Sequence, residues 1–215
     1  MITIGKPRIE KKGNEFYLSS EIYDENRKQR FDIWYSVSEE YGEYLCDDRA
    51  DAYISLVLSV AIISGQDIVS EAPVSARFLH GIRNTIQPIL HKLYGHGDMI
   101  HITVPQERPA VLSGTAVGCG CSLGVDSLSS LYSHMGDDVE LGYHVTHLAL
   151  FNSCQFGGSQ EQSIIEKAFK EGVEKIKPFA NEVGLPIVAI NTNLNEFFVN
   201  TKVGNLKRFI CTSIT

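Results

Sequence analysis

Small and polar side chains crowd the stretch Ser122-Leu-Gly-Val-Asp-Ser127, which follows a short apolar run that contains glycine. The two serine hydroxyls can donate hydrogen bonds to phosphate oxygens, and Gly124 has no side chain to keep an anion from the backbone. Asp126 can hold Mg²⁺ directly or through water. If a helix begins here, its first N–H groups are unpaired and carry partial positive charge. The stretch therefore predicts a phosphate-binding loop, although serine and aspartate are also common as plain helix caps.

The same residues fit a second pattern, because Gly120-Cys-Ser-Leu-Gly124 matches G-x-S-x-G, the turn that presents the nucleophilic serine of many hydrolases. That chemistry needs an acid and a histidine later in the chain. The last aspartate is Asp138 and the last histidine is His147, and both come too early for the usual order. A serine without a general base is a poor nucleophile. A hydrolase with Ser122 as nucleophile therefore requires that a missing C-terminal part carries the histidine.

Two other nucleotide-binding patterns fit less well. A dinucleotide fingerprint, G-x-G-x-x-G, begins at Gly118, but its third glycine, Gly124, comes one residue late. The acidic residue expected after the second strand is also missing, since that strand ends at Phe151-Asn152. A mononucleotide P-loop needs a lysine next to its last glycine, and the sequence has none between Lys92 and Lys167.

Composition narrows the class of protein. The 215 residues are 43% hydrophobic, which is enough for one large domain or two small ones. Lys plus Arg is 19 and Asp plus Glu is 26, giving a net charge of −7. Such a surface suits a cytoplasmic protein and argues against general nucleic-acid binding. The longest apolar run, residues 53–64, is shorter than the roughly 20 residues of a membrane span, so we expect no membrane association.

The order of predicted elements divides the chain into two parts. Residues 1–110 predict a smaller α+β region, and residues 111–215 predict an α/β region in which strands alternate with helices, as in parallel sheets with right-handed crossovers. The chain stops in an apolar segment, so we expect the second region to be incomplete at its C-terminus. The first region has predicted strands at 15–23, 30–37, 67–71 and 99–104, of which the first two form a hairpin. Its predicted helices are one that follows Asp47-Asp48 and ends at Ser64, and one at 75–94 that Pro88 kinks or divides; residues 106–110 are predicted to be a linker. The second region has strands at 115–121, 144–151 and 185–192 and helices at 125–135 and 161–184.

Ligands of such sheets bind at the carboxyl ends of the strands. The loop of Ser122 to Ser127 follows the first strand of the second region. Phe151 and Asn152 end the next strand, and Asn193 follows the third. We expect all of them at one edge of the sheet, with Asn193 in contact with substrate.

The segment SLGVDS resembles the S-G-G-x-D-S signature of the PP-loop (N-type) ATP pyrophosphatase superfamily. Ser122, Gly124, Asp126 and Ser127 match it, and Leu123 departs from it. The resemblance spans about residues 113–200 and is closest in pattern to 7-cyano-7-deazaguanine synthase-like proteins. It implies an adenine nucleotide alpha hydrolase-like fold, a parallel sheet with helices on both faces.

The resemblance also implies a reaction. ATP and Mg²⁺ are the cofactors, and a substrate oxygen, usually a carboxylate, attacks the α-phosphorus so that pyrophosphate leaves and an adenylated intermediate forms. Asp126 is the candidate magnesium ligand and catalytic residue. Phe151 and Asn152 would lie against the adenine. The pyrophosphate end of ATP would be held by Ser122, Gly124, Val125, Asp126 and Ser127.

Three functions therefore stay open. The first is an AMP-forming ligase or synthetase domain acting on a small molecule or peptide. The second is a catalytically degenerate nucleotide-binding or scaffolding subunit that works with a partner protein or a missing C-terminal region. Leu123 and the apolar end of the chain favour this second hypothesis. The third is a serine hydrolase with Ser122 as nucleophile.

Overall fold

The computed structural model describes residues 1–109, 114–140, 142–152 and 161–200, without the side chains of Val199 and Asn200. In these ranges the chain has an α/β fold built on one nine-stranded mixed sheet and a separate two-stranded sheet. The strands are β1 Ile2–Ile4, β2 Arg8–Lys12, β3 Glu15–Asp24, β4 Gln29–Ser38, β5 Ile68–Ser70, β6 Val74–Ser75, β7 Ile102–Thr103, β8 Glu107–Arg108, β9 Gly118–Gly120, β10 His147–Phe151 and β11 Ile187–Thr192. The helices are α1 Asp51–Ser64, α2 Ala76–Gly81, α3 Gln87–Tyr94, α4 Val125–Tyr132, α5 Gln162–Val183 and α6 Leu194–Asn200.

The main sheet runs in the order β7-β5-β1-β3-β4-β11-β10-β9, with β2 also paired to β3. Strands β9, β10 and β11 are parallel, as the sequence predicts. The predicted hairpin of β3 and β4 is confirmed by ten antiparallel residue pairs. β11 pairs antiparallel with β4, with Asn191 opposite Ser36 and Thr192 opposite Tyr35. The sheet is therefore mixed rather than wholly parallel, and it joins strands from both predicted regions; the division near residue 110 stays a prediction.

Helices cover both faces of this sheet, which the alternation of side chains along β11 makes clear. Tyr35 packs against a core cluster that contains α1 and α6, and its partner Thr192 points to that face. Ile187 and Ala189 point to the opposite face and pack in a second cluster with residues of α4 and α5. The two clusters are therefore separated by the sheet.

Helix α1 is the centre of the larger cluster, since nine of its fourteen residues are buried. A helix that is apolar on all sides is expected in the core of a protein. In the described parts of the chain no helix is long and apolar enough to cross a membrane. α1 ends at Gly65, whose φ of 62° is the left-handed conformation that glycine adopts at low cost. It begins at Asp51, shortly after the predicted start that follows Asp47-Asp48. Asp48 pairs with Arg108, and the Ala50 N–H donates to the Pro73 carbonyl.

The predicted helix at 75–94 is divided, as the position of Pro88 suggests. A π-helical turn, Ile82–Ile86, separates α2 from α3, and Pro88 lies in the first turn of α3. Proline has no N–H to donate, so the regular hydrogen-bond pattern changes just before it.

Candidate functional site

The loop of residues 121–124 connects the carboxyl end of β9 to the first turn of α4. Its first residue is still part of the sheet, because the Cys121 N–H donates to the Ala149 carbonyl at 2.9 Å. At the end of the neighbouring strand the Asn152 N–H donates to the Ile190 carbonyl, also at 2.9 Å. The carboxyl ends of the three parallel strands therefore meet at one edge, as predicted.

The two serine hydroxyls face each other across the loop. Their Oγ atoms are 3.3 Å apart, and the Ser127 hydroxyl donates to the Gly124 carbonyl at 2.9 Å. The N–H groups of Ser122 and Gly124 reach these hydroxyls at 3.4 Å each, which is long for a hydrogen bond. The hydroxyls are thus held close together by contacts that a stronger acceptor can replace.

The first three N–H groups of α4, those of Val125, Asp126 and Ser127, have no hydrogen-bond partner among the described residues. They are at the surface, and Val125 is 83% exposed. Such groups carry the positive end of the helix dipole and suit an anion. A Cβ on Gly124 would come within 3.3 Å of Ser122 Oγ, so glycine keeps this side of the loop open.

Leu123 adopts a φ of 57°, in the left-handed region that favours glycine. For a residue with a Cβ this conformation costs about 1–2 kcal/mol. The backbone at this position thus has the conformation of a glycine, although the residue is leucine. Its side chain is 38% exposed and not packed into the core, so it leaves the amides of α4 at the surface.

Asp126 is exposed in the first turn of α4, where a carboxylate is stabilised by the unpaired N–H groups. Mg²⁺ in nucleotide sites is usually bound by one or two carboxylates together with phosphate oxygens and water. A single exposed carboxylate beside the amides fits that donor set. Asp126 is therefore the residue that would hold the ion.

Asn193 is 3% exposed and bonded to β4. Its Oδ1 accepts from the Trp34 N–H at 2.9 Å, and its Nδ2 donates to the Asp32 carbonyl at 2.9 Å and to Glu196 Oε2 at 3.3 Å. Both N–H groups of the amide are used within the protein, so the position favours a structural role. Contact with substrate stays a prediction.

Phe151 and Asn152 end β10 beside the loop, as predicted, with Phe151 half-buried and Asn152 1% exposed. The Asn152 amide bonds to Asn191 on β11, at 2.7 Å. The sequence did not predict the hydrogen bond to Asn191, because the pattern within one strand does not indicate which polar side chain lies opposite on the next strand. Gly157 and Gly158, which in the sequence fit either a loop that closes over a ligand or a plain connection, lie outside the described residues.

The structure gives Ser122 no general base among the described residues. Its hydroxyl contacts Ser127 and the Gly124 N–H. His147 begins β10, at the opposite end of the parallel strands, where its ring bonds to Thr146 Oγ1 at 2.8 Å. Among the described residues Ser122 therefore lacks the base that would activate it as a nucleophile.

Comparisons with models of known protein families, with curated proteins and with solved structures found no match.

Proposed function

We propose that the chain contains an ATP-dependent, AMP-forming ligase or synthetase domain that binds the pyrophosphate end of ATP at residues 122–127. The observation that carries this proposal is the set of three α4 amides that have no partner among the described residues, next to the facing hydroxyls of Ser122 and Ser127. Donors of this kind suit phosphate oxygens, and their position at the carboxyl end of a parallel strand is where nucleotides bind in such sheets.

In the proposed reaction the loop acts on the leaving group. A substrate carboxylate oxygen bonds to the α-phosphorus of ATP, and the bond between that phosphorus and the β-phosphate bridging oxygen breaks. The amides and the hydroxyls of Ser122 and Ser127 then stabilise the negative charge that develops on pyrophosphate. Mg²⁺ at Asp126 would supply further positive charge to the phosphates. An amine, ammonia or sulfur nucleophile displaces AMP from the adenylated substrate, and no protein side chain has to form a covalent bond.

The arrangement of strands supports an adenine nucleotide alpha hydrolase-like fold as the finer assignment. β9, β10 and β11 are parallel and adjacent, and the loop follows the first of them. The acidic composition supports the cytoplasm as the compartment, and the substrate is a small molecule or peptide.

Calorimetric titration with ATP and MgCl₂, and separately with pyrophosphate, tests the loop before any substrate is known. We expect binding by the unmodified protein and a loss of about tenfold or more in Ser127→Ala, because a hydrogen bond to a charged group contributes roughly 1.5–3 kcal/mol. Ser129→Ala is the matched control: it is an exposed serine of the same helix, two residues further on. Equal effects of the two substitutions, or no binding of either ligand, would refute the site.

Turnover is tested by exchange of labelled pyrophosphate into ATP with a panel of carboxylic acids. A substrate that supports exchange, with loss of exchange in Asp126→Asn, supports the ligase. The second candidate, a nucleotide-binding subunit without turnover, is favoured by the leucine at position 123 beside the amides. It predicts ATP binding with no exchange for any acid in the panel, and exchange that begins when a partner protein is added.

A further inference from the structure

Three large aliphatic side chains are exposed in one row along the helix that runs from the π-helical turn into α3. Ile86, Ile89 and Leu93 are 42%, 52% and 58% exposed. Their spacings of three and four residues place them next to one another on the helix surface. Single exposed aliphatic side chains are ordinary, whereas contiguous ones mark surfaces that bind another molecule. We call this row the α3 face.

The π-helical turn is the reason that Ile86 belongs to this row. A regular α-helix places residues four apart on one face, so Ile86 would lie between Ile82 and Leu90, which are both buried. The turn Ile82–Ile86 changes this register, and Gln87 is buried while Ile86 is at the surface. Single π-helical turns inside α-helices are frequent at functional sites. The backbone therefore moves an apolar side chain from the core side of the helix to the α3 face.

The α3 face lies at the end of the main sheet opposite the candidate site. Arg83, in the π-helical turn, donates from Nη2 to the Ile102 carbonyl of β7 at 2.8 Å. β7 is at one end of the strand order, and β9, which leads into the loop of residues 122–127, is at the other. A molecule on the α3 face would leave that loop free, so binding there is independent of the proposed function.

The sequence around the α3 face is basic, although the chain as a whole has a net charge of −7. Residues 72–97 include three cationic side chains and no acidic one. Arg83 pairs with Glu107 at 3.3 Å. Arg77 and Lys92 are exposed and have no ion-pair partner among the described residues. Lys92 lies beside the row, because it is three residues from Ile89.

We propose that the α3 face binds an amphipathic helix of another protein, in which a row of aliphatic side chains is flanked by acidic residues. Aliphatic rows of two helices can interdigitate, and an acidic residue beside the partner's row can pair with Lys92. A second copy of this chain is a poorer match, because symmetric pairing brings the two basic stretches against each other. An anionic membrane is also a poorer match, because it repels a chain with a net charge of −7 and attracts a single lysine only weakly.

A selection of displayed helical peptides tests the chemistry of the partner directly. The library consists of helix-forming peptides of about 18 residues, or five turns, with randomised surface positions, and the immobilised target is the unmodified protein. We expect enriched peptides to have aliphatic residues at spacings of three and four, with Asp or Glu beside them. Fluorescence anisotropy then measures the affinity of one enriched peptide.

The double substitution Ile89→Ser with Leu93→Ser should weaken this peptide about tenfold or more, because two apolar side chains no longer become buried on binding. Lys92→Glu should weaken it severalfold at low salt and less at high salt, where the charges are screened. Ile164→Ser is the matched control, since Ile164 is an isoleucine of α5 that is 44% exposed, and it should leave the affinity unchanged. Urea denaturation of each variant separates a loss of binding from a loss of folding.

Four results would overturn the proposal. Two are a selection without enrichment, and enriched peptides that lack acidic residues or bind the double variant as tightly as the unmodified protein. The third is a dimer in sedimentation equilibrium that the double substitution abolishes, which would assign the α3 face to a second copy of the chain. The fourth is binding to vesicles that contain phosphatidylserine, lost in the double variant and without binding of acidic peptides, which would assign the face to a membrane.

Discussion

The Asn193 side chain extends the sheet, and removing it should measurably destabilise the protein. Backbone pairing between β11 and β4 ends at Thr192 opposite Tyr35. Beyond that point the Asn193 side-chain amide makes the hydrogen bonds that a further strand residue would make with β4. It accepts from the Trp34 N–H and donates to the Asp32 carbonyl, each at 2.9 Å. Asn193→Ala therefore leaves two backbone groups of β4 without partners.

Each polar group deprived of its partner in a buried environment costs about 1–3 kcal/mol. Asn193 is at the end of the pairing, where water can partly replace it, so we take about 3 kcal/mol for the two groups together. For a protein of this size a loss of 1 kcal/mol lowers the melting temperature by about 2–4 °C, and the expected shift is roughly 6–12 °C.

Urea denaturation followed by circular dichroism measures the free energy of unfolding directly. Asn14→Ala is the matched control, since Asn14 is exposed in the turn before β3 and should change stability by less than about 0.5 kcal/mol. If Asn193→Ala is no more destabilising than this control, the amide does not continue the sheet. Asn193 would then be free to contact a substrate, as the sequence first suggested.

Three further substitutions test separate features. Leu123→Gly should tighten pyrophosphate binding in calorimetry, because it removes a side chain beside the amides from a backbone already at a φ of 57°; weaker binding would show that the leucine contributes to the site. Burial raises the pKa of Tyr53, whose hydroxyl donates to the Leu18 carbonyl. Stability should therefore fall as pH rises above about 10, where only the unfolded state ionises. Tyr53→Phe should reduce this fall in urea titrations at pH 9 and 11, and an equal fall in both proteins would contradict the prediction. The Arg49 guanidinium holds the pKa of Asp48 well below its usual range. The ionised Asp48 therefore stabilises the fold above about pH 4, and this contribution is lost as pH falls further. Asp48→Asn should weaken the dependence of stability on pH below 4, and an equal midpoint of acid unfolding in both proteins would refute this.

Elements with strong local signals could be predicted from the sequence. The hairpin of β3 and β4, the long helix α5 and its end at Gly184 follow from alternation, helical spacing and a glycine in the left-handed conformation. The sequence did not predict β1, β2 or α6. β1 and β2 form because they pair with β3, and α6 forms where it packs on β4, so partners distant in sequence decide these elements rather than a local pattern. The same holds for β8, which lies in the predicted linker and forms because it pairs with β6, far earlier in the chain.

The candidate site shows the same limit. The loop of residues 122–127 could be located because its glycine, serines and aspartate are contiguous in sequence. The left-handed backbone at Leu123 and the pairing of Asn152 with Asn191 depend on how neighbouring strands are placed, so no pattern in one segment reveals them.

The most direct test of phosphate binding at the loop is a titration of ¹⁵N-labelled protein with ATP and MgCl₂, followed by amide chemical shifts. We predict the largest shifts at the N–H groups of Val125, Asp126 and Ser127, reproduced by pyrophosphate alone. Shifts that leave these three amides unchanged, while others move or none do, would contradict the proposal that they bind the nucleotide's phosphates.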